Sequence, residues 1–313
     1  MTAQRALLSD GRWHFQHGPM DIVIGADGAP AAVQAAHEAA WQRFEPLLNE
    51  LVSELPLLRQ RVNGGACPLQ GPIARRMWWS CRPFCSGFIT PMAAVAGAVA
   101  QELVRCYARD GVERAWINNG GDIALHLAPG RSVRVGLYAD ISRLGARELT
   151  EGLAIDGRFT VTHAMPVRGV ATSGWRGRSF SLGIADSVTV LAATAAEADA
   201  AATVIANAVN IEDSRIGRQR ACELKDDTDL GEVEVTVDVP VLPAEVVRAA
   251  LDRGARRARE LLASNLIWSA ALVCQRQAVI CGGSDESSDE RPAPPHQPSW
   301  SNSCLTLVQQ THA

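Results

Sequence analysis

An α+β fold with mixed or antiparallel sheets and flanking helices is predicted by two features of this 313-residue sequence. Extended and helical segments are interleaved without the regular strand–helix–strand repeat of a parallel sheet. The links between extended segments are Asn/Gly and Pro/Gly turns of the hairpin kind.

The elements follow in order. Residues 18–25 alternate apolar and polar positions and end in Ala26-Asp27-Gly28, a strand and a turn. Pro30 opens a helix through Trp41 and Phe44, where Pro46 is expected to break or restart it before a second run to about Leu55. Asn63-Gly64-Gly65 is a loop, and 66–89 has no clean period. Thr90-Pro91 reads as an N-cap and first helical residue, with the helix running to Arg109 and stopped by Gly111. Its first turns are almost all small, which allows another backbone or a ligand to approach closely.

Residues 113–117, 123–128 and 132–139 read as an antiparallel meander split by Asn118-Asn119-Gly120-Gly121-Asp122 and Pro129-Gly130. Further strands are expected at 152–156, 167–171 and 187–192, and a helix at 197–209 opened by Thr194 or Ala195. An acidic loop at 223–231, a half-buried strand at 233–241 and an arginine-bearing amphipathic helix at 243–262 follow. The apolar run 266–281 is read as helix and then a short strand. From 282 onward Ser, Asp, Glu and Pro dominate, so residues 1–281 are assigned to one domain and 282–313 to a disordered tail.

A hydrophobic fraction of 47% and a charged fraction of 20% are ordinary for a globular chain. A net charge of −4 gives no electrostatic case for nucleic acid or an acidic membrane. No secretory signal or membrane span is read, which places the protein in the cytoplasm. The 8 cysteines lack the spacing of a zinc site and are expected to be reduced thiols. Lys225 is the only lysine. His163, His14 and His17 lack partners at catalytic or metal-binding spacing. Trp78-Trp79 reads as a core or interface pair.

Three segments carry candidate chemistry. In Asn119-Gly120-Gly121-Asp122, consecutive glycines permit amides to converge on an anion, and the same residues also make a plain hairpin turn. In Thr172-Ser173-Gly174, hydroxyls and amides at a strand end suit a polar ligand edge or a turn. In Ala198-Asp199-Ala200-Ala201-Ala202-Thr203, Asp199 and Thr203 share a helix face, a half-site for Mg²⁺ or a solvent-facing pair. Asn207 continues that row.

In this order, and with Ser187-Val188-Thr189-Val190 between the last two, the segments resemble the ApbE-like flavin-transferase superfamily. The wording from Gly183 to Ala192 is similar to its UPF0280 branch. The resemblance implies a two-lobed α+β fold holding a flavin nucleotide (FAD or FMN), with Mg²⁺ at its pyrophosphate. It also implies transfer of FMN from FAD to a hydroxyl of an acceptor protein, with AMP leaving. By position, Asp199 and Thr203 match the metal ligands. Asn119, Gly120, Gly121, Asp122, Thr172, Ser173 and Gly174 match the cleft-forming loops. The family's lysine-bearing helix opening has no counterpart in Thr90–Ala100, and Arg178–Gly183 replaces its His-x-x-Asp-Pro segment. A non-catalytic binding or assembly protein on the same fold, in sulfur or cofactor metabolism, is therefore the alternative. A homo-oligomer is left open.

Overall fold

The computed structural model describes residues 2–137 and 157–282. The expected strand at 152–156 and all of the tail beyond 282 lie outside the described residues. The architecture is α+β. Its frame is a 9-stranded sheet in the order β1-β2-β3-β4-β5-β8-β9-β12-β13, with every pairing antiparallel. The first five strands form a meander: β1 (Gln4–Leu7), β2 (Trp13–His17), β3 (Met20–Gly28), β4 (Val112–Asn119) and β5 (Asp122–Leu127). The sheet continues through β8 (Gly169–Ser173), β9 (Ser187–Ala192), β12 (Ser269–Cys274) and β13 (Gln277–Gly282).

Period-two alternation divides the sheet into two faces. Ala115, Ile117, Ala124, Ala171, Val188 and Val190 enter the main core. The intervening Trp116, Ile123, Leu125, Val170 and Leu191 form a second core on the opposite face. That face is covered by a separate hairpin of β6 (Ser132–Leu137) and β7 (Gly157–Thr162). The expected three-strand meander over 113–139 is therefore corrected. Strand β5 pairs with β8 at Ile123↔Val170, and β6 leaves the sheet to pair with β7.

The main core lies under the helices. Helix α1 (Pro30–Ser53) runs through Pro46 without a break, contrary to the sequence reading. Gln42 and Pro46 are both exposed, so the carbonyl deprived of its partner by proline faces water, while Phe44, Leu47 and Leu51 stay buried. A short α2 (Leu55–Leu58) and α3 (Pro72–Cys81) follow, the latter in the stretch without a clean period. Trp78 of α3 is buried and Trp79 half-exposed, with their rings edge-to-face at 4.8 Å.

The helix expected over 90–109 is three pieces: a 3₁₀ turn (Pro91–Ala94), α4 (Val95–Val104) and a second 3₁₀ turn (Arg105–Tyr107). Thr90 does not cap it; its hydroxyl donates instead to Asp229. Helix α5 (Ala195–Ala208) begins as expected, with the Thr194 hydroxyl accepting from the Glu197 amide. A short α6 (Ala221–Leu224) precedes the acidic loop, β10 (Gly217–Arg220) pairs with β11 (Glu234–Asp238), and α7 (Ala244–Ala263) matches the amphipathic stretch. Arg253, Arg256 and Arg259 lie on its exposed face. Residues 269–282 are not helical but a hairpin, with Gln275 and Arg276 at positive φ in its turn.

Helices α4 and α5 cross at Gly97. A methyl group there would sit 2.2 Å from the Ala195 carbonyl oxygen and 2.9 Å from Asp199 Cβ. No side chain larger than hydrogen fits without parting the helices. Gly97→Ala is accordingly expected to destabilise the protein by about 3 kcal/mol or more. Urea unfolding followed by circular dichroism measures this; a loss below about 0.5 kcal/mol would show that the crossing yields freely.

Candidate functional site

The glycine turn joins β4 to β5. Asn119 pairs with Asp122 across it, and Gly120 and Gly121 have φ of +66° and +113°. Both values lie in the region open to glycine, which lets a two-residue turn close the hairpin. The Gly121 amide donates to Asn118 Oδ1 at 2.9 Å. That N–H is therefore already taken, and the turn is a hairpin first rather than a set of amides free for an anion.

By alternation, Asn119 and Asp122 lie on the same face as Ile117 and Ala124, the face covered by α4 and α5. Asn119 donates through Nδ2 to the Ala96 carbonyl at 3.1 Å. The Gly97 amide donates to Asp199 Oδ2 at 2.9 Å, and the neighbouring Ala96 amide also favours the charged carboxylate. Asp122 is buried and accepts from the Thr172 amide at 3.1 Å. One chain of contacts thus joins β4, α4 and α5, and a second joins β5 to β8. The glycine turn and the Asp199 helix share one place.

Thr172 contributes its backbone and not its hydroxyl. Its Oγ1 lies 2.9 Å from Thr189 Oγ1, on the opposite face with Val170 and Leu191. Ser173 follows Ala171 onto the helix-covered face and is half-buried. Gly174 serves packing, since a methyl there would stand 2.4 Å from the Asp186 carbonyl oxygen. Thr203 is half-buried one helical turn beyond Asp199. Its hydroxyl makes no hydrogen bond within the described residues. Asn207, in the same row, is committed elsewhere: its Oδ1 accepts the Leu182 amide at 2.9 Å.

The electrostatics centre on two carboxyl groups. Burial pushes Asp122 up to about 7, against which the Thr172 amide acts only weakly. Asp199 is raised well above the carboxylate range by burial first and by the charge of Asp122 second. Asp199 is densely surrounded yet keeps part of its surface open to solvent. The Cys81 thiol lies behind the site, pushed up by burial and by the charges of Asp199 and Asp229. Neither Asp122 nor Asp199 forms a salt bridge among the described residues, whereas Glu102 nearby on α4 is shared by Arg43 and Arg76.

Two buried like charges with no salt-bridge partner among the described residues are costly unless protonated or bridged by a positive ion. No group of three or more His, Cys, Asp and Glu stands ready for a metal among the described residues. Donors here are carboxylate, hydroxyl and backbone oxygen. That set suits a hard divalent ion such as Mg²⁺, which keeps several waters, and not zinc.

The remaining candidates are structural. His163 Nδ1 bonds to the Leu127 carbonyl at 2.7 Å, and His14 pairs with Asp21 at 2.6 Å. The described cysteines are free thiols.

The family model described as AbpE bacteria matches residues 5–284. The chain belongs to this ApbE-like family. A UPF0280 protein of Methanosarcina acetivorans is 35% identical over 200 residues, covering 63% of this chain and 72% of the relative. Another, from Methanosphaerula palustris, is 40% identical over 200 residues, covering 63% of this chain and 77% of that one. Among solved structures, the flavinyl transferase ApbE of Pseudomonas stutzeri in its apo form aligns with 89% of this chain and 93% of its own, at 11% identity and a TM-score of 0.42. The ApbE protein of Thermotoga maritima aligns with 67% of this chain and 87% of its own, at 12% identity and a TM-score of 0.39. No described helix is long and apolar enough to cross a membrane.

The carboxylate pair gives a signed pH dependence. A carboxyl whose folded pKa is raised binds more protons folded than unfolded, so its contribution to stability falls as pH rises from about 4 through about 7. Buried His37, whose pKa is lowered by burial, acts oppositely below pH 6.5, so a variant comparison is needed. Without metal, Asp199→Asn is expected to raise Tm relative to the parent at pH 8 and to change it little at pH 5. Equal shifts at both pH values would exclude charge repulsion as the cause.

Proposed function

We propose that the cleft between the glycine turn and the Asp199 helix binds a flavin nucleotide, FAD or FMN, together with Mg²⁺, and serves transfer of FMN from FAD to a hydroxyl of an acceptor protein. The observation that carries this reading is the pair of carboxyl groups, Asp122 and Asp199, on one helix-covered face, with the charge of the first raising the pKa of the second and no salt bridge to either among the described residues. Family membership supports the same reading.

In this reading Asp199 and Thr203 hold the metal. Their spacing on α5 puts a carboxylate and an uncommitted hydroxyl on one face. The Gly97 amide fixes the Asp199 carboxylate and so leaves its other lone pairs directed by the fold rather than by solvent. Asp122, held by Thr172 N–H, supplies the second negative charge. Asn119, Gly120, Gly121, Ser173 and Gly174 shape the nucleotide side of the cleft. Bound Mg²⁺ supplies charge neutralisation at a pyrophosphate and improves the leaving group. The protein's part is positioning.

The segment of α4 that meets Asp199 carries Ala96 and Gly97 and no titratable side chain through Ala100. This favours, as a second reading, a site that binds the nucleotide without transferring it. Release of AMP separates the two.

Flavin-fluorescence titration of the purified protein tests the assignment. FAD binding is expected to require Mg²⁺ and to weaken about tenfold or more in Asp199→Ala, with an unchanged circular dichroism spectrum. Binding that ignores both the metal and the substitution would refute it. AMP detected after mixing with FAD, Mg²⁺ and a cell extract supplying acceptors identifies the transferase; its absence with tight binding identifies the binding protein.

A further inference from the structure

The loop between β8 and β9 is fastened at both ends and exposed in the middle. At its start the Trp175 amide donates to the Ala185 carbonyl at 3.0 Å, and the Trp175 ring packs against the main core. At its end Asn207 Oδ1 holds the Leu182 amide, and the Ser181 hydroxyl donates to it at 3.3 Å. Between these anchors Arg176, Gly177, Arg178 and Ser179 are exposed.

The two arginines of this stretch differ. Arg176 stacks on the Trp175 ring at 4.9 Å and lies 3.7 Å from the Asp186 carboxylate. Arg178 has no salt bridge among the described residues, and its guanidinium lies over the glycine turn. Its Nη1 is 3.2 Å from where a Cβ on Gly120 would stand. A Cβ at residue 120 would crowd the guanidinium, which would have to shift by a few tenths of an ångström. Two residues on is the buried carboxyl of Asp122, which forms no salt bridge with Arg178 among the described residues. The cation is therefore not spent on neutralising the carboxylate pair.

We infer that Arg178 is the anion-recognition arm of the cleft: a guanidinium, carried on a loop tethered at both ends, that grips a phosphate oxygen of the ligand from the glycine-turn side. A metal ion at Asp199 and a guanidinium at Gly120 would then hold a diphosphate between two positive groups. Planar, forked guanidinium donors suit that task, and Lys225, the only lysine, lies in the acidic loop beyond α6. The inference deepens the proposed function, since it names a ligand-binding residue of the same site.

Isothermal titration with inorganic pyrophosphate and Mg²⁺ tests Arg178 without flavin. The parent protein is expected to bind pyrophosphate, and Arg178→Gln to bind it about tenfold more weakly or worse. Arg178→Lys should recover part of the loss, and the exposed-helix control Arg253→Gln should match the parent. Arg178 is exposed, so circular dichroism and Tm should be unchanged in the variant. No pyrophosphate binding by the parent, or equal binding by Arg178→Gln, overturns the inference. Binding of pyrophosphate with the expected Arg178 dependence, but no binding of FAD, sustains it and refutes the flavin reading.

Discussion

The rest of the site depends on one close approach. Helices α4 and α5 touch at Gly97, where even a methyl group would collide with the Ala195 carbonyl. That contact brings the first turn of α4 onto Asp199, so that the Gly97 amide reaches its carboxylate. Amides in the first turn of a helix have no partner within it, and a carboxylate placed there satisfies them and meets the positive end of the helix dipole. The same turn presents the Ala96 carbonyl to Asn119. One short stretch of small residues thus joins the α5 helix to the end of the β4–β5 hairpin.

Sequence reading recovered the parts whose signals are local. The run 187–192 is wholly buried β9, and Thr194 caps the helix it was expected to open, because an apolar run and a hydroxyl before an alanine-rich stretch each act over a few residues. It failed where the deciding partner is distant. Strand β6 has the pattern of a third meander strand, yet its partner β7 lies well along the chain. Thr90 has the right residue type for a cap, yet Asp229 claims its hydroxyl. The β12–β13 turn carries Gln275 and Arg276 at positive φ where Asn or Gly would announce a hairpin, so an apolar run read as helix is two strands. Pro46 looks like a helix breaker only until its exposed face is known.

The site was legible in a similarly partial way. Asp199, Asp122 and the glycine turn stand out by residue type and spacing, and the fold brings them together. The role of Thr172 was not legible, because hydroxyl chemistry suggested a side-chain contact while the useful group is its amide. The parity of a strand decides which face a hydroxyl takes, and a one-residue uncertainty in the strand's start reverses it. Arg178 had no motif around it. Its significance arises only when Gly120, far away in sequence, is found beneath it.

These features bear on why such an arrangement persists. An ion pair such as Glu102 with Arg43 and Arg76 closes its own charge and needs nothing from outside. Asp122 and Asp199 do not: each raises the cost of ionising the other, and hydrogen bonds from two or three amides offset only part of it. Packing alone would favour replacing one of them with a neutral residue of similar volume. A buried carboxyl pair, with a hydroxyl one turn away that makes no hydrogen bond and a guanidinium over the adjoining turn that makes no salt bridge among the described residues, costs the fold stability. A bound cation would offset that cost, as any ligand that binds only the folded state does. On the proposed reading the same carboxylates that cost the fold stability would hold the cation, so stability and binding would pull against each other at this site.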